Sequence, residues 1–322
     1  MNNFKIAQPK SVDQVISLPP EKKYYPLAGG TDLLDEIKNE IVEPETIIDL
    51  NTIPDLAYIN STDKGMHIGT LTKVAELADN PQIAQSYPVL HEAAQSLATP
   101  QLRNAGTVGG NICQRPRCWY YRDPQVRCRK KGGSRCYAFN GKNKYHAIFG
   151  GGICYIVYPS DLAPAFISLD SEVTIGTNKG DKTIPLDEFY VLPKTDVRRE
   201  NILKPNELVK EIRIPPPKKG AKSTYFKFKE RGTWDFAVVS VAVNGIISGG
   251  VFNDIKIIMG GVAPIPWRLD KAEKLIKGKN ATEEIVRNAI ETAMADAKPL
   301  AENAYKVELA EVIVAHSIMS LV

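Results

Sequence analysis

Read for the spacing of apolar and polar positions, the chain opens as strand, helix, strand. "SVDQVISL" places Ser11 three residues before Gln14, the pattern of a capping box. "KYYPLAGGTDLL" is a strand running into a glycine turn and an apolar helix start, and "TIIDLNTIPDLAYI" holds another short strand. Residues 1–60 therefore predict a small βαβ unit. From 66, "MHIGTLTKVAELAD" predicts strand, turn and helix, and "PVLHEAAQSLA" predicts a helix stopped at Thr99 and Pro100. The glycine-rich "LRNAGTVGGNI" and a cysteine-bearing loop follow, and "CYIVYPSDLAPAFISLD" then reads as a strand. The polar, turn-rich "GTNKGDKTIP" predicts a domain edge near 177. Beyond it, short strands ("LVKEIRI", "TYFKFKE", "IKIIMGGV") combine with three late helices, and the helix after Asn280 has Glu283 at its N3 position. Three domains are expected: 1–60, 61–177 and 178–322.

Composition changes this picture little. No run of eighteen apolar residues occurs, so no membrane span is expected. The start "MNNFKIAQPK" has no apolar signal core, which predicts a cytoplasmic protein. In a reducing compartment clustered cysteines more often bind metal or do redox chemistry than pair as disulfides. Charge matters more. The net charge is +4, yet between Cys113 and Cys154 there are ten Lys/Arg and one acid, Asp123. That loop carries +9 and the remainder about −5. All five cysteines lie in it.

From the residues alone, several chemistries stay open. Four cysteines can hold zinc, although the close C-x2–4-C pairs of zinc sites are absent. The loop also interleaves Trp119, Tyr120, Tyr121, Tyr137 and Phe139 with its bases, a composition that can stack on and neutralise nucleic acid. Two turns, "AGGTDLL" (28–34) and "GTVGGNI" (106–112), match neither GxGxxG nor GxxxxGK[ST]. Their paired glycines would let backbone N–H groups converge on a pyrophosphate, or they are simple tight turns.

Seven stretches in order carry a resemblance: "PLAGGTDLL", "IIDLNTIPDL", "IGTLTKVAELA", "ATPQLRNAGTVGGNI", "YPSDLAPAFISLD", "KFKERGTWDFAVVSVAV" and "GGVAPIPWR". The chain resembles the FAD-binding (medium) subunit of the molybdenum hydroxylases, the xanthine dehydrogenase family. The resemblance implies an α+β fold: a p-cresol methylhydroxylase-type FAD-binding fold of two α+β subdomains, with a C-terminal α/β domain of the carbon monoxide dehydrogenase flavoprotein type. It implies non-covalent FAD. Ala28, Gly29, Gly30, Thr31, Asp32 and Leu33 would form the first pyrophosphate turn, and Thr107, Gly109, Gly110 and Asn111 the second. Asp161 would hydrogen-bond the flavin, and Lys227 would reach it from the C-terminal domain. Without the resemblance, Asp161 reads equally as a helix cap, and Lys227, between Phe226 and Phe228, as a solvated strand lysine.

Around "RPRCWYYR", "CRKKGGSRCYA" and "CYIVYPSDLAP" the chain resembles the subset with an extra [4Fe–4S] loop at about 113–154, seen in aldehyde oxidoreductases and 4-hydroxybenzoyl-CoA reductases. A cubane takes four thiolates. The resemblance implies Cys118, Cys128, Cys136 and Cys154 as ligands, with Cys113 a small buried hydrophobe. The loop's bases would compensate the anionic cluster. The function implied is electron transfer between an external carrier (NAD, ferredoxin or other) and [2Fe–2S] clusters on a small subunit. Substrate chemistry would sit on a large molybdopterin subunit, in a dimer of heterotrimers without nucleic acid. The direction of flow stays open. The alternatives are a self-contained flavin oxidase of the same fold class and a metal-stapled nucleic-acid-binding protein.

Overall fold

The computed structural model describes residues 3–19 and 23–322. Its first sheet is parallel: β1 (Lys5–Ala7), β2 (Tyr24–Leu27) and β3 (Thr46–Asp49) stand in the order β1-β3-β2. Helices Val12–Ile16 and Leu33–Lys38 make the two connections, as the βαβ pattern requires. Ser11 Oγ caps the first by accepting from Gln14 N–H at 3.3 Å. The Gln14 side chain reaches back to Lys10 N–H at 2.7 Å, one residue earlier than a capping box.

The second sheet comprises β4 (Ile59–Thr62), β5 (Gly65–Gly69), β6 (Glu172–Thr177), β7 (Gly180–Pro185) and β8 (Leu208–Ile214). All pairings are antiparallel, in the order β4-β5-β8-β6-β7. The position near 177, where a domain edge was expected, lies at the end of a strand paired to both β7 and β8. "LVKEIRI", expected in the C-terminal part, is the central strand here. Six short helices share one core with this sheet, including Ile68, Leu90, Val108, Phe166 and Ile212, all fully buried.

The third sheet is antiparallel: β9 (Ala221–Phe228), β10 (Val239–Ser248), β11 (Val251–Gly260) and β12 (Trp267–Arg268), in the order β12-β11-β10-β9. Side chains alternate between two cores. Val241, Val243, Ile257 and Met259 pack with the helices Asp270–Ile276, Glu283–Met294 and Tyr305–Met319. Ala242 and Ile258, between them, face the core of the second sheet. Burial on both faces explains why these strands read as nearly unbroken apolar runs.

Three local expectations are corrected. Pro100 does not stop a helix: it is the first residue of Pro100–Ala105, with Thr99 Oγ1 capping Leu102 N–H, because a first-turn proline gives up no intrahelical bond. The expected strand at 154–170 is extended without a ladder up to Ser160 and then a helix, Leu162–Ser168. Every residue of that helix is buried, so no polar face marks its period. The cap of Glu283–Met294 is Thr282, which puts Glu283 at the first helical position rather than the third.

Phe166, wholly buried in that short helix, supplies a prediction. Phe166→Ala should destabilise the protein by about 3–5 kcal/mol through lost burial and a residual cavity. Denaturant unfolding measures it.

Candidate functional site

The two glycine turns touch. A side chain added at Gly29 would lie 2.1 Å from the Ala105 carbonyl oxygen and 3.0 Å from Gly106 Cα. Gly30 has φ +72°, which lets the chain turn into the helix Leu33–Lys38. Among the described residues, no protein acceptor takes the N–H groups of Gly30, Thr31, Asp32 or Leu33. This turn therefore presents a run of backbone donors. The second turn differs. Val108 N–H donates to Thr72 O, Gly109 N–H to Thr70 O, Asn111 N–H to Thr107 O and Gly110 N–H to Thr107 Oγ1. Its donors are already spent within the protein. Gly109 is required by close packing, since a Cβ there would fall 1.8 Å from Thr70 Oγ1. Asn111 Oδ1 accepts from Ser160 Oγ at 2.5 Å, which leaves its side-chain N–H groups for a ligand.

Asp161 and Lys227 lie together. Lys227 Nζ is 2.8 Å from Asp161 Oδ2, with side-chain exposures of 2% and 6%. Tyr225 donates its O–H to Asp161 Oδ1 at 2.7 Å. Asp161 stands at the N-terminus of Leu162–Ser168, but its side chain makes no capping bond. Strand β9 is inverted relative to the simple reading: Lys227 points inward, while Phe226 and Phe228 are each 40% exposed.

The cysteine loop is bolted to the first subdomain by charge. Asp32 accepts from Arg115 N–H at 2.7 Å, from Arg122 Nη2 at 2.6 Å and from Arg117 Nη1. Burial raises its pKa, but Arg117 and Arg122 outweigh burial and hold it below the usual carboxylate value. On the same helical face, Asp35 binds Arg122 Nη1 at 3.0 Å and Glu36 accepts the Tyr121 O–H at 2.5 Å. Buried Glu200 pairs with Lys130 and, at 3.1 Å, with Arg115. Lys144 pairs with Glu230 at 2.6 Å. Half of the ten bases thus neutralise acids outside the loop. The expectation that all ten compensate a cluster is corrected: of the bases, Arg129 and Lys130 line the cysteine cavity.

Two cavities adjoin in this region. The larger, about 340 Å³, is bounded by Arg117, Tyr158–Ser160 and the 230–238 segment. The smaller is lined by Cys118, Cys128, Cys136 and Cys154. Cys118 and His146 border both. Cys113 lies apart, packed on the core of the second sheet, where burial pushes its thiol up to about 12. Burial likewise pushes Cys118 up to about 12. A hydrogen bond between Cys136 and Cys154 favours the first deprotonation of that pair and, with burial, opposes the second. Among the described residues, no three His, Cys, Asp or Glu side chains converge as ligands of a single ion do. The cavity that the four thiols share with their neighbours is small, about 10 Å³. The fit to a cluster is therefore one of donor set.

The family model for the FAD binding domain in molybdopterin dehydrogenase matches residues 2–217, and that for the CO dehydrogenase flavoprotein C-terminal domain matches 224–321. The chain belongs to the FAD-binding medium-subunit family of the molybdenum hydroxylases. It is 38% identical over 290 residues to the aldehyde oxidoreductase FAD-binding subunit PaoB of Escherichia coli, covering 88% of this chain and 87% of that one. It is 29% identical to the carbon monoxide dehydrogenase medium chain of Hydrogenophaga pseudoflava, over 92% and 88% of the two chains. The structure of carbon monoxide dehydrogenase from that organism superposes with a TM-score of 0.78 at 28% identity, covering 98% and 96%. Quinoline 2-oxidoreductase from Pseudomonas putida 86 shares the fold, with a TM-score of 0.76 at 20% identity over 99% and 97%. The chain is thus an oxidoreductase subunit with the α+β flavoprotein fold. No helix among the described residues is long and apolar enough to cross a membrane.

Within this medium-subunit frame, sequence reasoning passed over Asp35, Glu36, Glu200 and His146. The first two had a signal: Asp32, Asp35 and Glu36 repeat at helical spacing opposite a ten-base loop. His146 also had one, since it lies between two of the clustered cysteines. Glu200 had none, because its burial depends on a distant packing contact.

Breaking the Asp161–Lys227 pair from one side, as in Asp161→Asn or Lys227→Met, should cost about 3–5 kcal/mol, and removing both less than the sum. A double-mutant cycle in denaturant measures the coupling. For Asp32 the folded pKa is depressed, so its stabilisation is complete above the ordinary carboxylate value near 4 and is lost as pH falls through the lower folded value. Asp32→Asn should lower stability at pH 7 and flatten the acid limb of a stability–pH curve.

Proposed function

We propose that this chain is the FAD- and [4Fe–4S]-carrying electron-transfer subunit of a molybdenum hydroxylase-type complex, the subset anticipated from its cysteine loop. One observation carries the reading: four of five cysteines line one cavity, and that cavity shares the Cys118–His146 wall with the larger one. When bound, FAD and a cubane supply reversible electron uptake and release.

The chain's own residues have definite tasks in this reading. The open N–H groups of 30–33 receive the pyrophosphate, and the closed 106–111 turn shapes its other side. Asn111 offers its side-chain amide. The Asp161–Lys227–Tyr225 group, buried behind Ser160, holds a fixed charge pair against the flavin region. Arg117 spans Asp32 and the Phe236 ring, 5.2 Å away, and both Arg117 and Phe236 line the larger cavity. Cys118, Cys128, Cys136 and Cys154 supply the thiolates, and Arg129 and Lys130 the nearby positive charge. A single tetrahedral ion needs all four sulfurs about 2.3 Å from one centre, whereas a cubane spreads them over four irons.

The wider assignments follow the family resemblance. Substrate chemistry belongs to a large molybdopterin subunit and [2Fe–2S] clusters to a small one, assembled as a dimer of heterotrimers in the cytoplasm. The external carrier is NAD, ferredoxin or a similar donor or acceptor. The nucleic-acid reading loses support because Arg115, Arg117, Arg122, Lys130 and Lys144 are committed to acids. The stacked Tyr120 and Tyr137 are occupied with each other.

The full chain should purify with one acid-extractable FAD and about four irons. Serine in place of Cys118, Cys128, Cys136 or Cys154 should lose iron, whereas Cys113→Ser should keep it. Zinc without iron in every variant would make the loop a structural staple. The purified chain should reduce or oxidise artificial dyes but not turn over aldehydes or purines. Full activity with either substrate would remove the subunit reading and favour a self-contained oxidase.

A further inference from the structure

We propose that His146 is a positioning residue that donates an Nε2–H hydrogen bond to Cys118 Sγ and thereby raises the reduction potential of the cluster in this loop. The inference rests on the cluster reading above. His146 Nε2 lies 3.2 Å from Cys118 Sγ. Among the described residues, His146 is the one non-cysteine side chain hydrogen-bonded to a cavity thiol. The two bases nearest the cysteines are otherwise engaged: Lys130 Nζ with Glu200 and the Val197 carbonyl, and Arg129 with the Ser134 carbonyl.

The direction of the bond follows from the sulfur. A thiolate bound to iron carries no proton, so within this contact only the ring can donate. A neutral imidazole has one N–H. With that hydrogen on Nε2, Nδ1 is left bare. Nδ1 is buried and makes no hydrogen bond in the structure, so a proton placed there would have no acceptor, which favours the Nε2–H tautomer.

The ring is also held in place. His146 is 4% exposed. The Trp119 ring meets it edge-on at 5.4 Å. Its carbonyl accepts from Asn303 Nδ2 at 2.9 Å and from Lys306 Nζ at 3.1 Å, and its N–H donates to Asn143 O at 3.0 Å. The donor is therefore fixed before any charge changes at the sulfur. A hydrogen bond to a ligand sulfur favours the more negative, reduced cluster, and so raises its potential.

The test compares the full chain with His146→Phe and His146→Gln, the second keeping an N–H donor. Iron content is measured first, and then the cluster potential by EPR-monitored redox titration. The parent should hold about four irons. The phenylalanine variant should keep them and titrate at a lower potential, with about a tenfold smaller reduction constant, or about 59 mV for one electron. The glutamine variant should stay near the parent. If the parent holds no iron, the cluster reading fails and takes this proposal with it. If the parent is loaded but His146→Phe titrates at the parent potential, only the hydrogen-bond proposal is overturned. It is equally overturned if both variants lose iron, or if both shift alike. Iron lost from His146→Phe and kept at the parent potential in His146→Gln supports it.

Discussion

A carboxylate withdrawn from water needs compensation at each oxygen. Asp32 finds that compensation almost entirely in the cysteine loop, through two guanidinium groups and one backbone N–H. Arg122 shares its charge further with Asp35 and Glu36, so the acid face of this helix and the bases of the loop neutralise one another as a group. The contact fixes a loop with little regular structure against a turn whose own geometry leaves backbone donors open. Arg117 extends the same contact onto Phe236, in the segment that precedes β10. Three parts of the chain far apart in sequence are thus indexed to one charge.

The remaining anchors follow the same logic with different partners. Glu200, on the long connection between β7 and β8, draws in Lys130 and Arg115. Asn143 N–H donates to Glu302 Oε2 at 2.7 Å, and Asn143 Oδ1 accepts from Glu302 N–H at 2.9 Å. Lys306, wholly buried, donates to the Tyr145, His146 and Gly261 carbonyls. Burial pushes that amine down to about 7. The insertion is therefore held from the first subdomain, the second sheet and the last helix, and its irregular backbone is satisfied by fixed side chains rather than by a ladder.

Much of this was legible in the sequence, for identifiable reasons. The βαβ start, the late helices and the strands β9 and β11 announce themselves because apolar spacing and turn residues agree. The glycine turns were visible as composition, but the difference between them, open donors in one and spent donors in the other, was not. Gly109 is demanded by Thr70, which lies 39 positions earlier, and no local pattern can report that contact. The helix Leu162–Ser168 escaped because burial on every side erases its period. The burial of Lys227 came only through the resemblance, because alternation alone assumes that the phenylalanines face inward, whereas a buried partner, Asp161, reverses the preference. The loop's positive charge was plain to see. Its destination was not, since it depends on which acids the fold brings opposite.

The contrast between the two glycine turns has a consequence for how an anion is gripped. The 106–111 turn enters any complex already rigid: Thr70 and Thr72 hold it from beneath through their carbonyls, and it has little conformational entropy left to lose. The 30–33 turn instead has no protein acceptor on its N–H groups among the described residues, so its donors are open to a ligand. In the proposed pyrophosphate site, affinity would then divide between a preformed jaw and an open one. Changes at Thr70 or Thr72, which need never touch the ligand, would loosen the first, while changes in ionic conditions would act on the second.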